Sequence, residues 1–186
     1  MLKRKVSAYF TNRKYAFLIV FTALCAGMVT GAFGVLNSQG TPIGEINQIT
    51  GKDIIISSFS ENMKFLGWLV LWGVNLFGTP IVIYLLYVKG GTISAALCSL
   101  CASGGASGIM FVLSAVPYIA CTMASIMILS QGSISCSFCL FRNIWGKRKG
   151  RALSEEILIM ICEFIPAMLL ALLGGVCETI FKVNIA

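Results

Sequence analysis

Cysteine offers the most chemistry in this sequence, because four of its eight cysteines form two Cys-x-x-Cys pairs. One pair is Cys98 with Cys101, and the other is Cys136 with Cys139. If the two pairs converged, they would make a four-thiolate zinc site. Metal binding requires deprotonated thiols, however, and cysteines among apolar helical neighbours usually behave as small hydrophobic residues. We therefore expect these cysteines to be inert, with no metal and no cofactor.

Acid–base chemistry has few candidates, because the chain contains no histidine and only seven acidic residues. Glu163 stands out, since it lies inside an apolar run and is followed by Pro166, which kinks a helix. A charge near the middle of a bilayer costs about 2.5–3.5 kcal/mol. The alternatives are a proton or ion site, a polar contact with another helix, or a carboxylate solvated near the interface. We favour a structural role, and we expect no catalytic residue, because no serine or cysteine has a neighbouring base.

The composition around these residues predicts a membrane protein. Of the 186 residues, 58% are hydrophobic and only 11% are charged, and the mean hydropathy is +0.90. Soluble domains are closer to half apolar and a quarter charged. A net charge of +7 would suit nucleic acid, but the basic residues flank apolar runs and are better explained as topology signals. We expect a single all-α membrane domain over residues 1–186 and no binding of nucleic acid.

Five apolar runs are long enough to cross a bilayer, which takes roughly 20 residues. They predict transmembrane helices at 15–36, 65–88, 92–116, 118–141 and 154–181. The first run is longer than the apolar core of a secretory signal, about 7–15 residues, so we expect it to be retained.

Basic residues predict the orientation of this five-helix, polytopic arrangement. With the N-terminus cytoplasmic, 11 of the 14 basic residues face the cytoplasm, which the positive-inside rule favours. A loop at 37–64 and the C-terminus are then external, and a basic loop at 142–153 is cytoplasmic. The basic loop either binds anionic lipid headgroups or, as we favour, only sets the orientation.

Small and turn-forming residues predict how the helices pack. The turn between the second and third helices is expected at Lys89 and Gly90, because glycine ends helices and lysine seeks water. The third helix is rich in small residues and should be the central helix of the bundle. Close packing is expected at Gly27, Gly31, Gly104 and Gly108, kinks or turns at Pro80 and Pro117, and a buried interhelical contact at Asn75.

The loop at 37–64 has two parts. Its first half is rich in turn-forming residues and predicts irregular structure. In its second half Ile56, Phe59 and Met63 share one helix face. This spacing fits a short helix in the membrane interface that could contact a partner, and an ordinary connector is the alternative.

A resemblance to a known family rests on the order of three motifs. Gly78-Thr79-Pro80 comes first, Lys89-Gly90 follows, and a small-residue run closes at Ser114-Ala115-Val116-Pro117. In this order the chain resembles the stage II sporulation protein M family of endospore-forming bacteria, and the similarity extends more weakly over nearly the whole chain.

The resemblance implies a non-enzymatic anchor that acts in engulfment during endospore formation. The family localises two peptidoglycan-degrading partners, stage II sporulation proteins P and D, at the septal membrane. The expected location is therefore the cell membrane, at the sporulation septum and in the mother-cell membrane that engulfs the forespore. Membrane lipids are expected contacts, and self-association stays open.

The alternative function is a membrane transport component, either a permease subunit or an ion pathway that uses Glu163. An odd number of helices and the lack of an internal repeat speak against a standalone secondary transporter, but not against a subunit. An intramembrane enzyme has only the cysteines in its favour.

Overall fold

The computed structural model describes the backbone of residues 2–37, 51–145 and 153–183, and the surroundings of side chains at 14–37, 60–99, 101, 112–113, 115–145 and 154–177. All of the regular secondary structure in these residues is helical. The helices are α1 Leu2–Asn37, α2 Gly51–Gly73, α3 Gly78–Trp145 and α4 Leu153–Val183. The predicted all-α class is confirmed.

Much of this fold has the length and composition of membrane-spanning helices. Four stretches of the described residues are long and apolar enough to cross a membrane: Lys14–Asn37, Gly78–Ser99, Ala115–Trp145 and Ser154–Cys177. The first, third and fourth overlap the helices predicted at 15–36, 118–141 and 154–181. Large apolar side chains cover much of their outer surface, as a lipid environment requires.

The turn predicted at Lys89 and Gly90 is wrong, because α3 runs through both residues without a break. The chain turns instead at residues 74–77, between α2 and α3. The predicted helices at 65–88 and 92–116 are therefore wrong in their bounds. The second half of the predicted loop is helical from Gly51 onward, in agreement with the helix that its spacing predicted, and it continues without a break as α2.

Backbone hydrogen bonds close the turn at 74–77. Asn75 N donates to the Trp72 carbonyl and Gly78 N donates to the Asn75 carbonyl, each at 3.0 Å. A Cβ at Gly78 would overlap the Trp72 carbonyl oxygen, so the tight turn requires glycine there. Pro80 lies in the first turn of α3, where its missing N–H leaves no helical hydrogen bond unmade.

α3 doubles back on itself. It contains 68 residues, and a straight helix of that length would measure about 102 Å. Thr79 N, however, donates a hydrogen bond of 3.2 Å to Ser137 Oγ, 58 residues further along the chain. In a straight helix these residues would lie about 87 Å apart. The apolar stretches Gly78–Ser99 and Ala115–Trp145, here called the first and second arms of α3, are therefore antiparallel.

The reversal lies between the two arms, where residues that bend helices are concentrated. Pro117 lies inside α3 near the start of the second arm. Gly104 and Gly108 also fall in this interval. Their predicted packing contacts lie outside the side-chain surroundings that the structure describes.

The second arm of α3 is the central helix of the fold. Half of its apolar window is buried, against 22% for each of the other three membrane-crossing stretches. Ile126, Leu129 and Ile134 are its most deeply buried large side chains. The helix predicted as central, at 92–116, lies in large part outside the side-chain surroundings that the structure describes. Small residues were the basis of that prediction, and the serine-rich second arm is equally able to approach its neighbours closely.

Glycines bring α1 and the first arm of α3 into backbone contact. A Cβ at Gly27 would overlap the Tyr87 carbonyl oxygen, and a Cβ at Gly31 would overlap that of Gly91. Gly90 is equally close, because its Cβ would lie 2.6 Å from the Leu24 carbonyl oxygen. Since the contact moves one turn along both helices together, α1 runs parallel to the first arm. Glycines four residues apart are a common means of such close packing in membranes.

α4 packs antiparallel to the second arm of α3. Gly132 faces Glu163 near the start of α4, whereas a Cβ at Gly174, eleven residues later, would lie 3.4 Å from Thr122 Oγ1. Residues later in α4 therefore contact residues earlier in α3, as in an antiparallel pair. Ala167 and Ala171, both fully buried, lie between these two contacts.

Gly27→Ala should destabilise the folded bundle by about 1–3 kcal/mol, because the added methyl group overlaps backbone atoms of α3. The measurement is the unfolding midpoint of the purified protein in a detergent titration. Gly34→Ala is the matched control on the same helix, since nothing lies within 4 Å of the position of its Cβ. Equal losses in the two variants would contradict the packing of α1 on α3.

Candidate functional site

Two buried serines of the second arm join it to the rest of the bundle. Ser133 Oγ donates a hydrogen bond of 2.8 Å to the Leu69 carbonyl of α2. Ser137 Oγ donates one of 3.0 Å to the Asn75 carbonyl in the turn. Ser137 Oγ also accepts the hydrogen bond from Thr79 N. Two hydroxyl groups therefore tie the central helix to α2, to the turn and to the first arm.

The other buried hydroxyls of this arm donate within their own helix. Thr122 Oγ1 donates to the Tyr118 carbonyl at 2.9 Å, and Ser125 Oγ donates to the Thr122 carbonyl at 2.8 Å. Ser130 Oγ donates to the Met127 carbonyl at 3.2 Å. These hydroxyls need no ligand to satisfy their donors. The sequence could have predicted that these serines share one face of the helix, since they recur three and four residues apart at 130, 133 and 137.

Glu163 lies in the interface between α4 and the second arm of α3. Its Oε2 atom is buried and occupies the space that the missing side chain of Gly132 leaves, because a Cβ there would overlap that oxygen. The carboxylate therefore points into protein rather than towards lipid. This placement favours a polar contact between helices, and it also keeps a titratable group inside the bundle.

Asn75 does not make the buried side-chain contact that was predicted for it. It lies in the turn at 74–77 with an exposed side chain, and only its backbone reaches into the bundle. The buried amide is Asn62 instead, which is only 4% exposed. Its Nδ2 atom has no hydrogen-bond acceptor among the described residues. Sequence analysis missed Asn62 because Glu61 and Lys64 beside it mark a polar segment.

Lys89 lies well inside the first arm rather than in a loop. Its side chain is half-buried, and its Nζ atom stands 5.4 Å from the centroid of the Phe65 ring on α2. The carboxylate of Glu61, one helical turn before Phe65, acts on it electrostatically. Within the described residues, Lys89 makes no hydrogen bond or ion pair through its ammonium group.

The two Cys-x-x-Cys pairs do not converge. Cys136 is next to Ser137, which contacts Thr79 at the start of the first arm, whereas Cys98 lies at the far end of that arm. The 19 residues from Thr79 to Cys98 span about 28 Å of helix, which separates the pairs by nearly the thickness of a bilayer core. Among the residues that the structure describes, no three His, Cys, Asp or Glu side chains are grouped to hold a metal ion.

The predicted partner-contacting residues lie on α2. Ile56 and Phe59 fall within its helical span, but their side chains lie outside the described surroundings. Met63 is half-buried and packs against the hydrophobic core. Met63 is therefore engaged within this chain.

The fold defines the class of protein, an all-helical chain with the character of a membrane protein. Comparison of the chain with family models, with curated proteins and with solved structures finds no match.

Glu163→Gln should preserve the amount of protein in the membrane and its unfolding midpoint, because an amide fits the same space beside Gly132 and still forms hydrogen bonds. Gly132→Leu should lower both, since its side chain and that of Glu163 compete for one space. The measurement is membrane abundance and detergent unfolding of the three proteins. An unaffected Gly132→Leu variant would contradict the described contact.

Proposed function

We propose that this chain is a multi-pass membrane anchor that holds partner proteins in the membrane and has no catalytic activity of its own. The observation that supports this most is the use of Ser133 and Ser137, which donate to backbone carbonyls outside the second arm. Hydrogen bonds of this kind stabilise the association of helices in lipid, where the hydrophobic effect does not favour it. A rigid core of this kind suits a protein that presents a fixed surface to its partners.

The proposed topology has five crossings, with the N-terminus in the cytoplasm and the C-terminus outside. The helix directions support it, because α1 and the first arm are parallel while the second arm is antiparallel to the first arm and to α4. The short turn at 74–77 makes α2 run opposite to the first arm. Successive helices and arms then alternate in direction across the membrane. In this topology α2 is also a crossing, although the polar first half of α2 lowers its hydropathy.

Basic residues support the same orientation. Five precede the apolar part of α1, and five more lie at 142–151, between the second arm and α4. Alternating chain direction puts these two groups on one side of the membrane, and the positive-inside rule makes that side cytoplasmic. Lys89 no longer contributes to this count, because it lies within the membrane-crossing arm.

The setting we propose for this anchor is engulfment during endospore formation. It rests on the resemblance to the stage II sporulation protein M family, with stage II sporulation proteins P and D as the anchored partners. The lipid-facing sides of the helices suit partners with a single membrane anchor, and the spacing of Ile56 and Phe59 in the sequence predicts a further contact at the start of α2. The expected location is the sporulation septum and the mother-cell membrane that engulfs the forespore.

A transport component is the second candidate, and Glu163 is the observation that favours it. Its carboxylate lies inside the bundle against Gly132, where a proton or cation could bind. Cells that carry the Glu163→Gln variant decide between the two functions. An anchor keeps working with a glutamine there, whereas an ion pathway needs the carboxylate.

Reporter fusions should place Gly146 in the cytoplasm and Gly51 outside, as the charge distribution and the alternating helix directions require. The measurement is the activity of a pair of reporters that work on opposite sides of the membrane. An external signal at Gly146 would contradict the five-crossing topology.

Deletion of this protein should release stage II sporulation proteins P and D from the sporulation septum. The measurement is the position of fluorescent fusions of both partners during engulfment, with and without this protein. The purified chain should release no muropeptides from peptidoglycan, because it acts through its partners. Partners that remain at the septum in the deletion strain, or cleavage by the purified chain, would refute the proposed function.

A further inference from the structure

Lys89 is a charged side chain well inside the first arm of α3. It lies eleven residues after Gly78, where the arm begins, and the apolar stretch continues for at least ten residues beyond it, to Ser99. Lys89 is therefore at least about 15 Å along the helix from either end of the arm, which is half of the hydrocarbon thickness. Ionisable residues at this depth are rare in membranes and usually face a polar partner.

The partner of Lys89 is not supplied by the described residues. Its Nζ atom stands over the Phe65 ring at 5.4 Å, a contact that leaves all three ammonium hydrogens without an acceptor. Glu61 acts on it through its charge but is exposed and forms no ion pair with it. The residues that the structure describes therefore compensate the charge of Lys89 only in part.

Asn62 is a second donor that lacks an acceptor on the same turn of α2. It follows Glu61 directly and lies three residues before Phe65, the two residues of α2 that act on Lys89. It is only 4% exposed, and its Nδ2 atom has no acceptor among the described residues. Among the described residues, Asn62 and Lys89 are therefore two donors that lack an acceptor, one on α2 and one on the first arm of α3.

We propose that Lys89 receives a carboxylate from the transmembrane helix of a partner protein. The half-buried ammonium group of Lys89 requires an acceptor, and a carboxylate supplies up to four lone pairs and the opposite charge. Large aromatic side chains are exposed on both helices nearby, with Trp68 on α2 53% exposed and Tyr84 on the first arm 65% exposed. They offer an apolar surface against which such a helix can pack.

Depth argues for a helix rather than a lipid headgroup as the source of the acid. A headgroup phosphate lies at the membrane surface, about 15 Å from the level of Lys89. An acidic side chain at the middle of a partner's transmembrane helix already lies at the depth of Lys89. The inference rests on the proposed anchor function and assigns a specific binding surface to it.

The probe for this site is a single-span peptide of leucine and alanine that carries one central glutamate, and its control has leucine at that position. The full-length protein is reconstituted in vesicles of phosphatidylcholine and phosphatidylglycerol, and binding is measured by energy transfer from a fluorophore on the peptide. The wild-type protein should bind the glutamate peptide at least about fivefold more tightly than the leucine peptide, as expected for one strong interhelical hydrogen bond.

Lys89→Met should reduce this preference to about one, because methionine keeps the length of the side chain and removes its charge. Lys89→Arg should keep the preference. Lys64→Met is the matched control on α2, since Lys64 is exposed and makes no described contact with Lys89, and it should bind both peptides as the wild type does.

Equal binding of the two peptides by the wild type, or an unchanged preference in Lys89→Met, would overturn the proposal. So would a Lys89→Met variant whose only change is weaker retention of phosphatidylglycerol, which would identify a lipid as the ligand. A change confined to self-association would identify a second copy of the chain and would equally overturn it. Partners that leave the septum in the deletion strain while Lys89→Met still anchors them would refute this site and leave the anchor function standing.

Discussion

The fold depends on the hydrogen bonds that Ser137 makes at the start of α3. The first N–H groups of a helix have no partner within it, and the start of α3 is packed against the second arm, which supplies an acceptor. Ser137 Oγ accepts from Thr79 N and donates to the Asn75 carbonyl. One hydroxyl group thus serves both the end of a tight turn and the beginning of a helix. This arrangement requires the second arm of α3 to return to the first, so the central helix and the turn stabilise each other.

Because the turn lies at residues 74–77, the residues predicted to form it have other roles in the fold. Gly90 and Gly91 become the surface on which α1 packs, because glycine permits backbone contact there. Lys89 becomes a charge within an apolar stretch of membrane-crossing length rather than a residue in a turn. In our proposal, its position beside α2 is where the helix of a partner binds.

Length and hydropathy predicted the all-α class and three of the four membrane-crossing stretches, because both quantities can be read directly from local sequence. The turn could not be predicted in the same way. Its residues 74–77 are mostly apolar, and the bond that stabilises it comes from Ser137, far along the chain. A glycine pair such as Gly90 and Gly91 is also ambiguous, since glycines can end a helix or allow a neighbouring helix to pack closely against it. Glu163 could be found from its charge alone, but its space beside Gly132 depends on tertiary packing.

The distance between the two ends of α3 tests this account most directly. Spin labels at Phe77 and Phe141, which are 70% and 43% exposed, can be attached through a noncanonical amino acid so that the native cysteines stay in place. If the arms are antiparallel, electron–electron resonance should show a separation of about 25 Å or less, because packed helices lie about 8–10 Å apart and each label adds its own reach. A straight α3 would separate the labels by about 96 Å, and the absence of a short-distance signal in folded protein would contradict the account.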